Sequence, residues 1–187
     1  MSNSAQTVIK RTQCWIDKIV IGLNLCPFAK PAFTNGGIEY YVSDKHDNNT
    51  QQHLQQLTDC LKQLDNNDSI ETSLLIFTVH YKTFDDYLDL LYLANQLLEE
   101  LDYVGVYQIA SFHPDYQFEN SAVDDAANFS NRSPYPMLHI LRENSIEKAV
   151  EHYDNIASVP KNNIKKLQAI GHQEMQNQFT ALFRKIP

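Results

Sequence analysis

The chain has 187 residues, 43% hydrophobic and 20% charged, with 23 acidic against 15 basic side chains and a formal net charge of −8. That length suits one domain with a sizeable core, and residues 1–187 are expected to form a single globular unit. The acidic balance argues against DNA, RNA or an anionic membrane surface as partner, because each needs clustered Lys and Arg.

Only 5 glycines are present, and neither G-x-G-x-x-G nor G-x-x-x-x-G-K-[ST] occurs. No apolar run approaches a membrane span. The N-terminal Met1-Ser2-Asn3-Ser4-Ala5-Gln6 lacks the charged and apolar regions of a signal peptide. Cys14, Cys26 and Cys60 are an odd number without C-x-x-C spacing, which disfavours disulfides and structural zinc. The expectation is a cytoplasmic, reduced protein. The Asn-x-Ser/Thr triplets at Asn48, Asn128 and Asn131 would then stay unmodified.

The first predicted element is an amphipathic helix over 5–23, with Val8, Thr12, Trp15, Ile16, Ile19, Val20 and Leu23 at helical spacing. Gly22 and Asn24 end it and Pro27 forbids continuation. A short strand follows over Ile38 to Val42, then a polar loop. A helix near 50–65 carries Leu54, Leu57, Leu61 and Leu64 on one face. The apolar run at 71–79 reads as a central strand covered on both faces. Thr83 should cap a helix to about Leu101, with Asp85 and Asp86 in its first turn. Strands follow at Val104 to Ser111 and Met137 to Leu141. Ser145 is the expected N-cap of a helix to Tyr153, and Pro160 opens a last helix to about Phe183. The alternation predicts an α/β fold, or α+β, with about four strands in a mixed sheet covered by helices. The segments 71–79 and 104–111 should lie adjacent or nearly adjacent in it.

Open sheets of this kind bind ligands beyond the carboxyl ends of their strands. His80-Tyr81 and Phe112-His113-Pro114-Asp115 end two strands. If the last strand is antiparallel, its start returns Asn131, Arg132 and Tyr135 to the same edge. The connection from Phe112 to Pro136 is long and holds five aromatic residues, too many for disorder. It reads as folded back over a ligand. His113 is the candidate acid or base, or alternatively a structural histidine. Asp115 stands beside it. Arg132 is a candidate anion clamp, or else pairs with Asp124 or Asp125, which could otherwise cap a short helix. Tyr135, His80 and Asn131 complete a candidate substrate-binding set. Cys26, held extended by Pro27, is a candidate nucleophile, although a position after a helix C-terminus and an apolar setting favour a buried thiol. Zinc on His80, His113 and His139 lacks short ligand spacing, so no metal is expected. His-Pro-Asp also occurs in J-domain cochaperones, but here it follows a strand in an acidic chain. His46, His53, His152 and His172 have nothing to distinguish them.

The chain resembles the bacterial DUF1415 family of uncharacterised proteins over nearly its whole length. The resemblance rests on Trp15 with Val20-Ile21-Gly22-Leu23-Asn24-Leu25-Cys26-Pro27-Phe28-Ala29. It rests further on Phe112-His113-Pro114-Asp115-Tyr116-Gln117-Phe118, and on Asn131-Arg132-Ser133-Pro134-Tyr135-Pro136-Met137-Leu138-His139. It implies no reaction, cofactor or fold, but marks the Cys26, His113 and Arg132 segments as those that define the family.

Two readings follow. One is a hydrolase- or transferase-type enzyme acting on a small anionic metabolite at His113 and Arg132. The other is a non-catalytic binding domain using the aromatic 112–136 loop. A cavity holding His113 and Arg132 together favours the first; opposite placement, or an Arg132 consumed by Asp124, favours the second. Substrate, cofactor and oligomeric state are not legible.

Overall fold

The computed structural model describes residues 3–46, 49–151 and 156–184. Strands β1 (Ile38–Ser43), β2 (Thr72–Phe77), β3 (Tyr107–Phe112) and β4 (Met137–Arg142) form one sheet in the order β1-β2-β4-β3. β1 is parallel to β2, while β4 is antiparallel to β2 and to β3. The expected α/β architecture with a four-stranded mixed sheet is therefore formed, and β2 and β3 are separated by β4 alone.

All six residues of β2 are buried, as its unbroken apolar character requires of a strand covered on both faces. Alternation along the strands divides the core into two layers. On one face Leu75, Phe77, Leu138 and Ile140 meet Leu57, Leu61 and Leu64 of α3 (Thr50–Asn66) and Tyr87, Leu90 and Leu98 of α4 (Phe84–Glu100). On the other face Leu74, Ile76 and Met137 meet α1 (Asn3–Trp15), α6 (Val159–Ile170) and α7 (His172–Phe183). Each large apolar side chain buried here contributes about 1.5–3 kcal/mol against unfolding.

Caps hold the helices that reach the functional edge. Thr83 accepts the Asp86 N–H, as expected of an N-cap. Asn49 and Gln52 form a reciprocal capping box at the start of α3.

Several boundaries differ from expectation. The first helix is α-helical only to Trp15 and continues as a π-helix, Ile16–Ile21. Gly22 does not simply stop it: its N–H bonds the Asp17 carbonyl, and a Cβ would lie 2.2 Å from the Lys18 oxygen. The wide turn thus requires a residue with no side chain there. A short helix, α2 (Ala29–Thr34), follows Pro27 where none was expected. β3 begins at Tyr107 rather than Val104, because Tyr103 to Val106 form a turn closed by the Val106 N–H on the Tyr103 carbonyl. α5 (Glu143–Glu151) starts directly after β4, so Ser145 lies inside it and its hydroxyl donates to Glu71 instead of capping. The last predicted helix is two, broken at Gly171 (φ 85°), a left-handed residue that closes α6 and opens α7. The expected helix end at Tyr153 and residue Asn48 of the first triplet lie outside the described residues.

Candidate functional site

Pairing of Ser43 with Phe77, Ile76 with Met137 and Phe112 with Met137 aligns the carboxyl ends of β1, β2 and β3 with the start of β4. Residues 78–83, 113–116 and 131–136 therefore emerge along one edge. The two faces of that edge differ.

The first part is a closed girdle. The His113 N–H donates to the Asn131 carbonyl, and the Ser133 N–H donates to the His113 carbonyl, extending the β3–β4 ladder. The His113 ring is fully buried against Phe84 and Tyr87. Its Nδ1 accepts the Asp115 N–H at 3.0 Å, so Nε2 carries the proton and donates to the Tyr81 carbonyl at 2.9 Å. Burial lowers its pKa, with the Tyr81 carbonyl and the Asp115 charge opposing. A neutral imidazole with both nitrogens engaged by backbone results. Asp115 itself is exposed. Asn131 turns its Nδ2 back onto the Ser111 carbonyl.

Arg132 is 7% exposed. Its Nε donates to the Tyr116 carbonyl at 3.1 Å and its Nη2 to the Val123 carbonyl at 2.8 Å, while the guanidinium lies 4.8 Å from the Phe129 ring centre. Burial lowers its pKa and the nearby Asp115 raises it. The alternative reading, an ion pair with Asp124 or Asp125, gives way to these carbonyl contacts; among the described residues Arg132 makes no ion pair. Asp125 instead accepts the Ala127 N–H and caps the 3₁₀ turn Ala126–Ser130. His113 packs on α4, whereas Phe129 beneath Arg132 packs on Phe179 of α7. The two side chains thus face different layers. Asn128, which sequence reasoning passed over as a functional or structural residue, is fully buried and organises the loop: its side chain bonds the Phe118 N–H, the Ser121 hydroxyl and the Ala122 carbonyl.

Tyr135 lies on the α1 side, its hydroxyl 3.4 Å from Arg11 Nη1. Cys26 stands apart from these groups. Burial raises its pKa, and the N–H groups of Phe28 and Ala29 at the start of α2 oppose that rise without overcoming it.

The second part of the edge is open. A cleft of about 400 Å³ lies between α3, α4 and the end of β2, lined by Asn49, Thr50, His53, His80, Tyr81, Asp86, Asp89, Leu90 and Leu93. His80 was expected at this edge; its Nε2 donates to the Lys45 carbonyl at 3.1 Å. His53 was not expected. It is 1% exposed, wedged against Phe77, His80 and Tyr81. Its Nδ1 lies 2.7 Å from the Tyr81 hydroxyl, which also bonds Thr50. Among the described residues its Nε2 is buried without a partner. Burial, then the neighbouring His80, pushes its pKa down to about 4. The signal was its position, one turn before Leu57 on the stripe His53, Leu57, Cys60/Leu61, Leu64 that turned out buried.

Tyr81 joins the two parts. Its carbonyl takes the His113 Nε2–H and its hydroxyl meets His53 Nδ1. Its φ of 57° is left-handed, a conformation costly for an aromatic residue and held here by bonds at both ends. A larger cavity of about 600 Å³ lies at the opposite edge of the sheet. Its Arg142 is consumed by the carbonyls of Leu64, Ile70 and Asn67 and by the Tyr107 hydroxyl. Among the described residues no group of three or more His, Cys, Asp or Glu could hold a metal ion, and no helix is long and apolar enough to cross a membrane.

A family model described as "Protein of unknown function (DUF1415)" matches residues 7–177. No curated protein and no solved structure matches the chain.

Proposed function

For a chain that belongs to the DUF1415 family, we propose a small-molecule enzyme of hydrolase or transferase type, whose ligand occupies the cleft beside His53 and His80. The observation that carries this reading is the His53 ring in the lining of a cleft: one nitrogen is oriented by Tyr81, and the other is buried with no partner among the described residues. A proton-transfer group needs a neutral imidazole with one free nitrogen and a second group fixing its tautomer. When Nδ1–H donates to the Tyr81 oxygen, Nε2 keeps the lone pair, which can take a proton from a hydroxyl, thiol or water once a bound ligand reaches this solvent-closed nitrogen. His80, Asn49 and Thr50 offer polar contacts, and Leu90 and Leu93 an apolar wall.

Asp86 and Asp89 on the rim favour a neutral polar or cationic ligand here. The anionic ligand suggested by Arg132 would have to displace carbonyl contacts inside the girdle. The alternative, a binding surface on the aromatic loop, is less well supported. Phe129 is buried and Tyr116 and Phe118 are half-buried, and Val123 is the loop's exposed large apolar residue among those described.

The test is a thermal-shift screen of a metabolite panel with hits mapped by amide chemical shifts. Hits should perturb Thr50, His53, His80 and Tyr81, survive Arg132→Lys and vanish in His53→Phe. Binding that survives His53→Phe and is lost in Arg132→Lys would return the site to the girdle.

A further inference from the structure

The α1 side of the carboxyl edge carries a second group of unsatisfied atoms. Among the described residues, Arg11 Nε and Trp15 Nε1 are both buried without a hydrogen-bond partner. They lie four residues apart on α1, where side chains share a stripe and the later one leans back over the earlier. Trp15 is 2% exposed, and its ring packs edge-on against Phe112 at 5.3 Å between centres, at the very end of β3. Arg11 reaches the Tyr135 hydroxyl with Nη1 at a long 3.4 Å. Tyr135 sits between Pro134 and Pro136, with the Ser133 hydroxyl donating to its carbonyl, so its position is fixed by the chain. Two indicators of a ligand thus coincide: a nearly fully buried indole N–H with nothing to accept it, and a cation beside it with no carboxylate within ion-pair distance among the described residues.

We propose that Arg11, Trp15 and Tyr135 form a subsite for an oxyanion, a carboxylate or phosphate group, at the α1 face of the sheet's carboxyl edge. The chemistry is one-sided. The indole offers a donor and no acceptor, the guanidinium offers donors and a charge, and the phenol adds a third O–H. A neutral or cationic group finds no acceptor there except the phenol oxygen. An oxyanion bound beside them would accept from these donors through short, charge-assisted bonds. Leaving the indole N–H and the guanidinium Nε–H buried and unpaired is costly, and binding relieves that cost. Arg11 as a residue is half-buried, while its Nε is closed to solvent. The π-helical turn begins directly after Trp15, a feature frequent at functional sites. This subsite lies across the sheet from the His53 cleft, so either can fail while the other stands.

Trp15 is the sole tryptophan of the chain, which gives a direct readout. The indole N–H of ¹⁵N-labelled full-length protein gives a single cross-peak, to be followed while inorganic phosphate and, separately, acetate are titrated at constant ionic strength. The proposal expects a saturable downfield shift with at least one of them, and the two titrations distinguish phosphate from carboxylate. Arg11→Gln should weaken the effect about tenfold, the loss of one charge-assisted hydrogen bond, and Tyr135→Phe should weaken it less. Tyr135→Phe also serves as the independent variant should Arg11→Gln fold poorly. A peak that neither anion moves, or a shift equal in wild type and both variants, overturns the proposal. So does an indole N–H whose exchange cross-peak identifies a buried water as its acceptor.

Discussion

The girdle and the cleft use similar residues at one edge of one sheet, and they differ in satisfaction. In the girdle, the ring nitrogens of His113 and the Nε and Nη2 of Arg132 end on backbone groups, and the side chains are locked. In the cleft, His53 is held at Nδ1 and left open at Nε2. A buried polar group bonded to backbone holds a loop in place; one left unpaired costs stability unless a ligand or a water pairs with it. Motif density therefore pointed to the scaffold of the edge, while the unpaired His53 nitrogen lies on α3, outside every motif.

Mutations should separate the two. The largest effect is expected for Arg132→Met, which strands the Tyr116 and Val123 carbonyls and removes the contact on Phe129. A loss of about 3–5 kcal/mol by urea denaturation is expected. A variant as stable as wild type would mean the girdle is not structural. His113→Ala comes next, at about 2–4 kcal/mol, since it opens a cavity and unpairs the Tyr81 carbonyl and Asp115 N–H. His53→Phe should change stability by less than about 1 kcal/mol. It loses the Tyr81 bond but removes an unpaired buried nitrogen. A loss as large as that of His113→Ala would make His53 a structural residue too.

Acid should act on the cleft. The His53 pKa is depressed to about 4 in the folded state against an ordinary 6.5, so between those values the unfolded chain binds more protons. Stability conferred by neutral His53 is complete above about pH 6.5 and falls as pH drops toward 4, at up to about 1.4 kcal/mol per pH unit. His139, whose Nε2–H donates to Thr72 and whose burial also pushes it to about 4, adds a drop of the same sign. Urea midpoints from pH 7 to 4.5 should fall less steeply in His53→Phe than in wild type; parallel curves would contradict the assigned pKa. The smallest effect concerns Cys26. Its raised pKa predicts alkylation slower than a free thiol's at pH 7, and fast alkylation persisting to about pH 6 would restore it as a nucleophile.

Much of the fold was legible because it rests on local pattern. The buried run of β2, the leucine stripe of α3 and the Thr83 cap each act through neighbours a few residues away. The π-helical turn, the 3₁₀ turn and the break at Gly171 were not, since each depends on a carbonyl position or a φ that no periodicity encodes. The edge itself was legible: His80, His113, Asn131 and Tyr135 do arrive there, because β4 runs antiparallel. The placement of Arg132 depended on where the Tyr116 and Val123 carbonyls fall, and the isolation of His53 on the packing of β2 against α3. Neither is a property of sequence spacing.

Long-range ¹H–¹⁵N spectra of the histidine rings at pH 7 test the central distinction most directly. The account predicts a neutral His113 fixed as the Nε2–H tautomer and a neutral His53 whose Nε2 resonates as an unbonded nitrogen, moving only when a cleft ligand is added. A His53 that is charged at pH 7, or a His113 that titrates freely near pH 6.5 while His53 stays silent to every ligand bound, would contradict it.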